Sequence, residues 1–325
     1  MSISEAVLAP SERSRRRIIY LSRRFGYPLG GVKISYRHVE LLRKNGFDAY
    51  ILLVNQDDDK FVDVKVPELR PGRDFAVRPN DVYIVPEPWA PQLRHVGALE
   101  NPSYVFVQNH YYMYHGLRGA RSYQELGISG VFCCGDVIAD ALKKQLHVDA
   151  GVVHNGIDLG LYRPLEKKRQ IAYMPRKMRK GAFYAQSCFR QRFPELADVA
   201  WVEIDKMTEA EVVRHLGESP VFLTLGRMEG FGLPPLEAMA SGCAIVGFHG
   251  DGGREFATKD NGFWCDPEDW DAVVEGLGSA ISDFDKGNHR MIEAGKATAA
   301  SYGLDRMERE LVAFWDQELR SQWPN

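Results

Sequence analysis

Short apolar segments alternate with helix-period segments along nearly the whole chain. "RIIYLS" (17–22), "AYILLV" (49–54), "DVYIVP" (81–86), "YVFVQ" (104–108), "GVFCC" (130–134) and "GVVHN" (151–155) are near-continuous apolar runs of strand length. Such runs mark strands buried on both faces, which belong to parallel sheets. After the glycine pair at 30–31, Val32, Ser35, Tyr36, Val39 and Leu42 follow helical spacing, and Gly46 stops that helix before the next strand. Past "NGIDLGLYRPLEKKRQ" the pattern restarts with "QIAYMP", "VAWVEI", "VFLTL", "CAIVGF" and "GFWC". Between them "TEAEVVRHLGES" has a candidate N-cap at Thr208 and Glu211 three residues on. The spacing predicts two doubly wound α/β domains joined by a linker near 156–170. Met307, Leu311, Phe314, Trp315 and Leu319 fall on one side of a final amphipathic helix, which needs a surface to cover it.

Composition narrows the class without choosing a function. The chain has 325 residues, 45% hydrophobic and 26% charged, enough for two buried cores. A net charge of −3 gives no general attraction to nucleic acid or anionic membrane. The basic run Arg13, Arg15, Arg16 and Arg17 reads as a solvated tail guarding the first strand, and leaves room only for a weak peripheral membrane contact. No apolar run reaches the ~18 residues needed to span a bilayer, and residues 1–17 carry their charges after the short apolar stretch, so a cytoplasmic protein is expected. Five cysteines without C-x-x-C spacing read as reduced core residues.

The densest chemistry lies in "MEGFGLPPLEAMASGCAIV" (228–246). Pro234 and Pro235 suit the first turn of a helix, with N1 at one or the other, and Gly242 suits its C-terminal end. The helix would start just after Gly-Phe-Gly, aiming its free N–H groups and positive dipole end beyond a strand's carboxyl edge, which favours an anion such as a diphosphate. A capping box explains Glu237 poorly, because the N-cap would be a proline without an N–H or the register would be wrong. Carboxylates at Glu237 and Glu229 are instead suited to accept hydrogen bonds from pairs of sugar hydroxyls.

"EGFGLPPLEAMASG" resembles the signature of the retaining GT-B glycosyltransferases of the large "group 1" (family 4-like) nucleotide-sugar-dependent family. "GG" (30–31), "NGID" (155–158), "RKMRKG" (176–181) and "GDGGREFATKDNGFWCDPED" (250–269) agree with it in order. The resemblance implies two Rossmann-like domains facing a cleft, with the C-terminal helix crossing back to the first domain. The implied division is an acceptor domain at 1–163 plus 306–325 and a donor domain at 164–305. It implies a nucleotide-diphosphate sugar as donor, UDP- or GDP-linked, and an acceptor sugar, lipid-linked glycan or small molecule. Glu237 would bind the ribose and Glu229 the donor sugar, with Gly230, Phe231, Gly232, Leu233 and Gly31 near the sugar or phosphates.

Arg176 and Lys180 stand where the family places cations on the diphosphate, although Lys177 intervenes and the spacing departs from the usual form. Two fixed cations there would stabilise the leaving charge without a metal. His110 would lie near the reacting sugar, and Glu87, Tyr111 and Arg118, with Tyr112, Tyr114 and Arg121, would face the acceptor. No carboxylate pair is read as the D-x-D metal clamp of the other large transferase fold, so neither a metal nor a cofactor is expected. About one strand-helix unit is missing between Lys180 and Val221, and Gly226 and Arg227 replace the family's usual residues. A non-catalytic scaffold and a sugar-nucleotide epimerase of the same fold stay open as rivals.

Overall fold

The structure is a computed structural model that describes residues 13–23, 30–54 and 64–322. The leader question over residues 1–12 falls outside the described residues. The chain divides into two compact units, Met1–His154 with Asp305–Asn325, and Asn155–Leu304.

Among the described residues the first unit carries a seven-stranded parallel sheet in the order β3-β2-β1-β4-β5-β6-β7. Its strands are β1 (Arg17–Ser22), β2 (Asp48–Leu53), β3 (Glu68–Leu69), β4 (Val82–Pro86), β5 (Ser103–Val107), β6 (Gly130–Cys133) and β7 (Gly151–Val152). β1 and β4 are buried along almost their whole length, as the apolar runs predict. The run 151–155 forms a strand over only its first two residues. The two-residue β3, with no apolar run behind it, was invisible to pattern reasoning.

The helix Leu304–Gln322 belongs to this unit from Asp305 on. Met307, Leu311, Trp315 and Leu319, one turn apart in succession, are all buried. Trp315 meets Tyr104 and Phe132 edge-on, with ring centroids 5.2 and 6.1 Å away. Gly151 leaves room for Phe314, whose ring a Cβ there would meet at 2.6 Å.

The basic run is the solvated tail that the sequence suggests only in part, at the exposed Arg15. Arg13 and Arg17 are buried. Arg13 makes a bidentate pair with Asp316 at 2.9 and 2.6 Å, which ties the chain start to the last helix. Arg17 pairs Asp81 at 2.7 and 2.8 Å. A charge run does not reveal its counter-ions when they lie 303 and 64 positions away. Planar guanidinium forks suit such buried partners.

The second unit carries a five-stranded parallel sheet in the order β12-β11-β10-β8-β9. Its strands are β8 (Gln170–Tyr173), β9 (Ala200–Glu203), β10 (Val221–Thr224), β11 (Ala244–Gly247) and β12 (Gly262–Trp264). β10 and β11 are wholly buried, whereas β9 is an edge strand with exposed ends. The helix Glu209–Glu218 starts with the expected capping box of Thr208 and Glu211. All five cysteines are free thiols, four of them buried. No helix among the described residues is long and apolar enough to cross a membrane.

Candidate functional site

Each sheet has one place where the chain changes direction. In the second unit the chain steps from β8 outward to β9, then returns to the other side of β8 with β10. The carboxyl ends of β8 and β10 therefore diverge into loops on either side of a crevice, where open parallel sheets bind ligands. The loop after β8 holds Arg176 and Lys177, Lys180 stands in the first turn of the following helix Arg179–Arg192, and the loop after β10 holds Glu229 to Gly232.

Glycines let two backbones meet at this edge. Glu229 N donates to Gly250 O at 2.7 Å, and Gly252 N donates to Glu229 O at 3.0 Å. The stem of Glu229 passes between Gly226 and Gly250, where added Cβ atoms would stand 3.0 and 2.9 Å from its Cγ. A Cβ on Gly252 would lie 2.2 Å from Gly230 O. Asp251 and Met228 have positive φ values of 78° and 53°, a cost that non-glycine residues bear where the surroundings over-determine the turn. Phe231 is buried and meets Phe256 and Tyr302 edge-on at 6.1 and 5.8 Å. Its ring anchors the loop, so what this segment offers a ligand is backbone.

The helix after the turn runs Leu233–Ala240 with Gly232 as N-cap at φ 99°. Leu233 is thus N1, and the two prolines follow at N2 and N3, later than the sequence register proposed. Prolines are tolerated there because those N–H groups have no intrahelical partner. The same fact trims the expected anion site, since Pro234 and Pro235 bring no donors, the Leu236 amide closes the first helical turn on Gly232, and the free amides must come from Gly230 to Leu233.

Glu237 lies in the second turn, is buried, and has no part in capping. Tyr162, also buried, has its hydroxyl within reach of both Glu237 and Glu209, the latter Oε1 at 3.4 Å. Burial, then the charges of Glu237 and Glu209, push the Tyr162 phenol far above its ordinary value. Sequence reasoning missed Tyr162, although it stands inside the "NGIDLGLYRP" segment. It also quoted "GDGG" without assigning the turn 250–253 its role of clamping Glu229.

The cations after β8 divide cleanly. Lys177 Nζ sits 2.7 Å from Glu229 Oε1. Arg179 is committed to Glu203 and Asp205 at 2.6 and 2.8 Å. Arg176 and Lys180 are exposed and make no ion pair among the described residues. Two positive groups are thereby left for an outside anion, while Lys177 neutralises the carboxylate.

In the first unit the corresponding reversal lies between β1 and β4. Gly31 opens the helix Gly30–Lys44 that follows β1, and a Cβ there would meet the Gln108 side-chain amide at 3.1 Å. Gln108 Nε2 donates to Gly31 O at 3.2 Å, joining the start of that helix to the end of β5. His110, Tyr111 and Tyr112 form a 3-10 turn just after β5, capped by Asn109. Tyr112, Tyr114 and Arg118 are exposed, with Arg118 left-handed at φ 47°. Glu87, expected on an open loop, is only 3% exposed, and its carboxylate turns inward to backbone amides.

Two parallel-sheet units with helices on their faces make the fold class GT-B. The family model described as "Glycosyl transferases group 1" matches residues 204–298, the part of the second unit that holds Glu229, Glu237 and the 250–253 turn. An alpha-1,6-glucosyltransferase of Actinobacillus pleuropneumoniae serotype 7 (strain AP76) is 26% identical over 278 residues, 79% of this chain and 81% of its own length. Anabaena HepE in complex with UDP-glucose superposes with TM-score 0.70 at 14% identity, over 93% of this chain and 99% of that one. Sucrose-phosphate synthase from Thermosynechococcus elongatus superposes with TM-score 0.69 at 13% identity, over 94% of this chain and 100% of that one. The family match and the glucosyltransferase relative support a group 1 glycosyltransferase, and the solved structures show the fold.

Proposed function

We propose that the chain transfers a sugar from a nucleotide-diphosphate donor to an acceptor hydroxyl, with retention of anomeric configuration and without a required metal. The observation that carries this reading is the Glu229–Gly232 turn clamped at the reversal point of the second sheet, beside two cations with no carboxylate partner among the described residues. Glu237 accepts the ribose hydroxyls. Glu229 accepts hydroxyls of the transferred sugar once they displace Lys177 Nζ from its oxygen. Arg176 and Lys180 hold the diphosphate with the amides of Gly230 to Leu233, and their attraction strengthens as the leaving group gains charge. The acceptor hydroxyl attacks on the face the diphosphate leaves, and the leaving phosphate oxygen takes its proton. His110, Tyr111 and Arg118 serve the reacting sugar and the acceptor from the first unit.

The relatives support UDP-glucose as the donor to try first, with GDP-linked sugars second. The test is release of nucleoside diphosphate with each donor, and proton NMR of the product's anomeric coupling against that of the donor. A product of inverted configuration removes the retaining mechanism. Absence of both turnover and calorimetric binding for every donor removes the function.

A further inference from the structure

We propose that Glu87 is a positioning residue whose buried carboxylate holds the turn carrying His110. The proposal rests on the reading above only where it gives His110 a part in transfer. Glu87 follows β4 directly, and its Oε1 accepts from Asn109 N at 3.0 Å. Asn109, buried as well, then builds the turn: its Oδ1 accepts from Tyr111 N at 3.1 Å and its O from Tyr112 N at 3.0 Å. The His110 ring lies against Tyr111, centroids 4.2 Å apart. Behind Glu87, the helix Met113–Leu117 comes so close that a Cβ on Gly116 would stand 1.8 Å from Glu87 O. The turn and the helix after it are thus both registered on residue 87.

A carboxylate here is expensive as mere filling. No cation pairs with it among the described residues, and a lone buried charge is far more costly than a buried neutral group. Burial, opposed by the amides of Glu87, Gln108 and Asn109, pushes its pKa up to about 7. Tyr123 is a titratable side chain within reach of its charge, with a hydroxyl buried without a partner among the described residues. Gln108 and Asn109 after β5 meet it through their backbone amides, and Gly116 lies against its backbone oxygen. An acceptor aimed at the amides of a strand end accounts for the group; an apolar residue would fill the space without the charge.

The folded pKa lies above the ordinary 4.5, so the contribution of Glu87 to stability is full below 4.5 and is lost as pH rises through about 7. The test is amide hydrogen exchange at Asn109 and Tyr111, corrected for intrinsic rates, from pH 6 to 8.5, with donor turnover measured in parallel. In wild type a step in protection is expected near pH 7. Glu87→Gln, which keeps an acceptor oxygen without the charge, should retain protection and abolish the step. Glu87→Ala should speed exchange at both amides at least tenfold, leave β10 and β11 unchanged, and lower kcat more than it raises donor KM; Glu87→Gln should recover most of that loss. Unchanged exchange in a folded Glu87→Ala overturns the proposal, as does a step that persists in Glu87→Gln. If Glu87→Ala does not fold, the step in wild type against Glu87→Gln decides. The exchange data stand even if wild type turns over no donor, which would instead remove the proposed function.

Discussion

Replacing Gly252 with alanine tests whether the approach of two backbones builds the site. The new Cβ would lie 2.2 Å from Gly230 O, 2.3 Å from Gly230 C and 2.5 Å from Phe231 N, all backbone atoms that cannot rotate away. The 229–230 and 250–253 segments must separate, and the bonds Glu229 N to Gly250 O and Gly252 N to Glu229 O break. At about 1 kcal/mol for each backbone bond, the loss is about 2 kcal/mol before strain. In a unit of this size that lowers Tm by about 4–8 °C. Glu229 moves with its backbone, so turnover should fall by more than stability alone requires. Gly253→Ala is the matched control, because its Cβ would meet only the His249 side chain at 3.2 Å and Phe256 at 3.5 Å, and a cost below about 1 kcal/mol is expected. Differential scanning calorimetry and donor titration of both variants give the comparison. If Gly252→Ala melts and binds donor like wild type, the two loops are not clamped as described and Glu229 owes its placement to something else.

Other outcomes follow from the same contacts. Glu237→Gln should weaken nucleoside diphosphate and sugar nucleotide alike by about 1–3 kcal/mol, the range for hydrogen bonds to charged groups, whereas Glu229→Gln should spare the nucleoside diphosphate and lower turnover; equal losses on both ligands in isothermal titration would reduce the two carboxylates to scaffolding. Arg176→Ala and Lys180→Ala should depress kcat more than donor binding, because charge on the leaving group grows toward the transition state, and a variant pair silent in steady-state kinetics would move that role to Lys177. Asp81→Ala strands the buried Arg17 guanidinium and should cost about 3–5 kcal/mol in urea unfolding; a cost under about 1 kcal/mol would mean water reaches Arg17.

The sequence determined the architecture because the signals involved are local. Parallel strands buried on both faces must read as continuous apolar runs, and the stripe Met307, Leu311, Trp315 and Leu319 states that its helix has a covered side. The capping box at Thr208 and the glycine-rich turn around Glu229 were legible for the same reason, each lying within a few residues of chain. What only the tertiary structure decided is pairing at long range. It gave Arg13 and Arg17 their carboxylates, set Lys177 rather than Arg176 or Lys180 on Glu229, turned Glu87 inward and put the Tyr162 hydroxyl beside Glu237. Composition states which charges exist. Their partners are chosen by the sheet order, which brings the ends of distant strands to one edge, and by the desolvation cost that forbids a buried charge or hydroxyl from being left where it first falls.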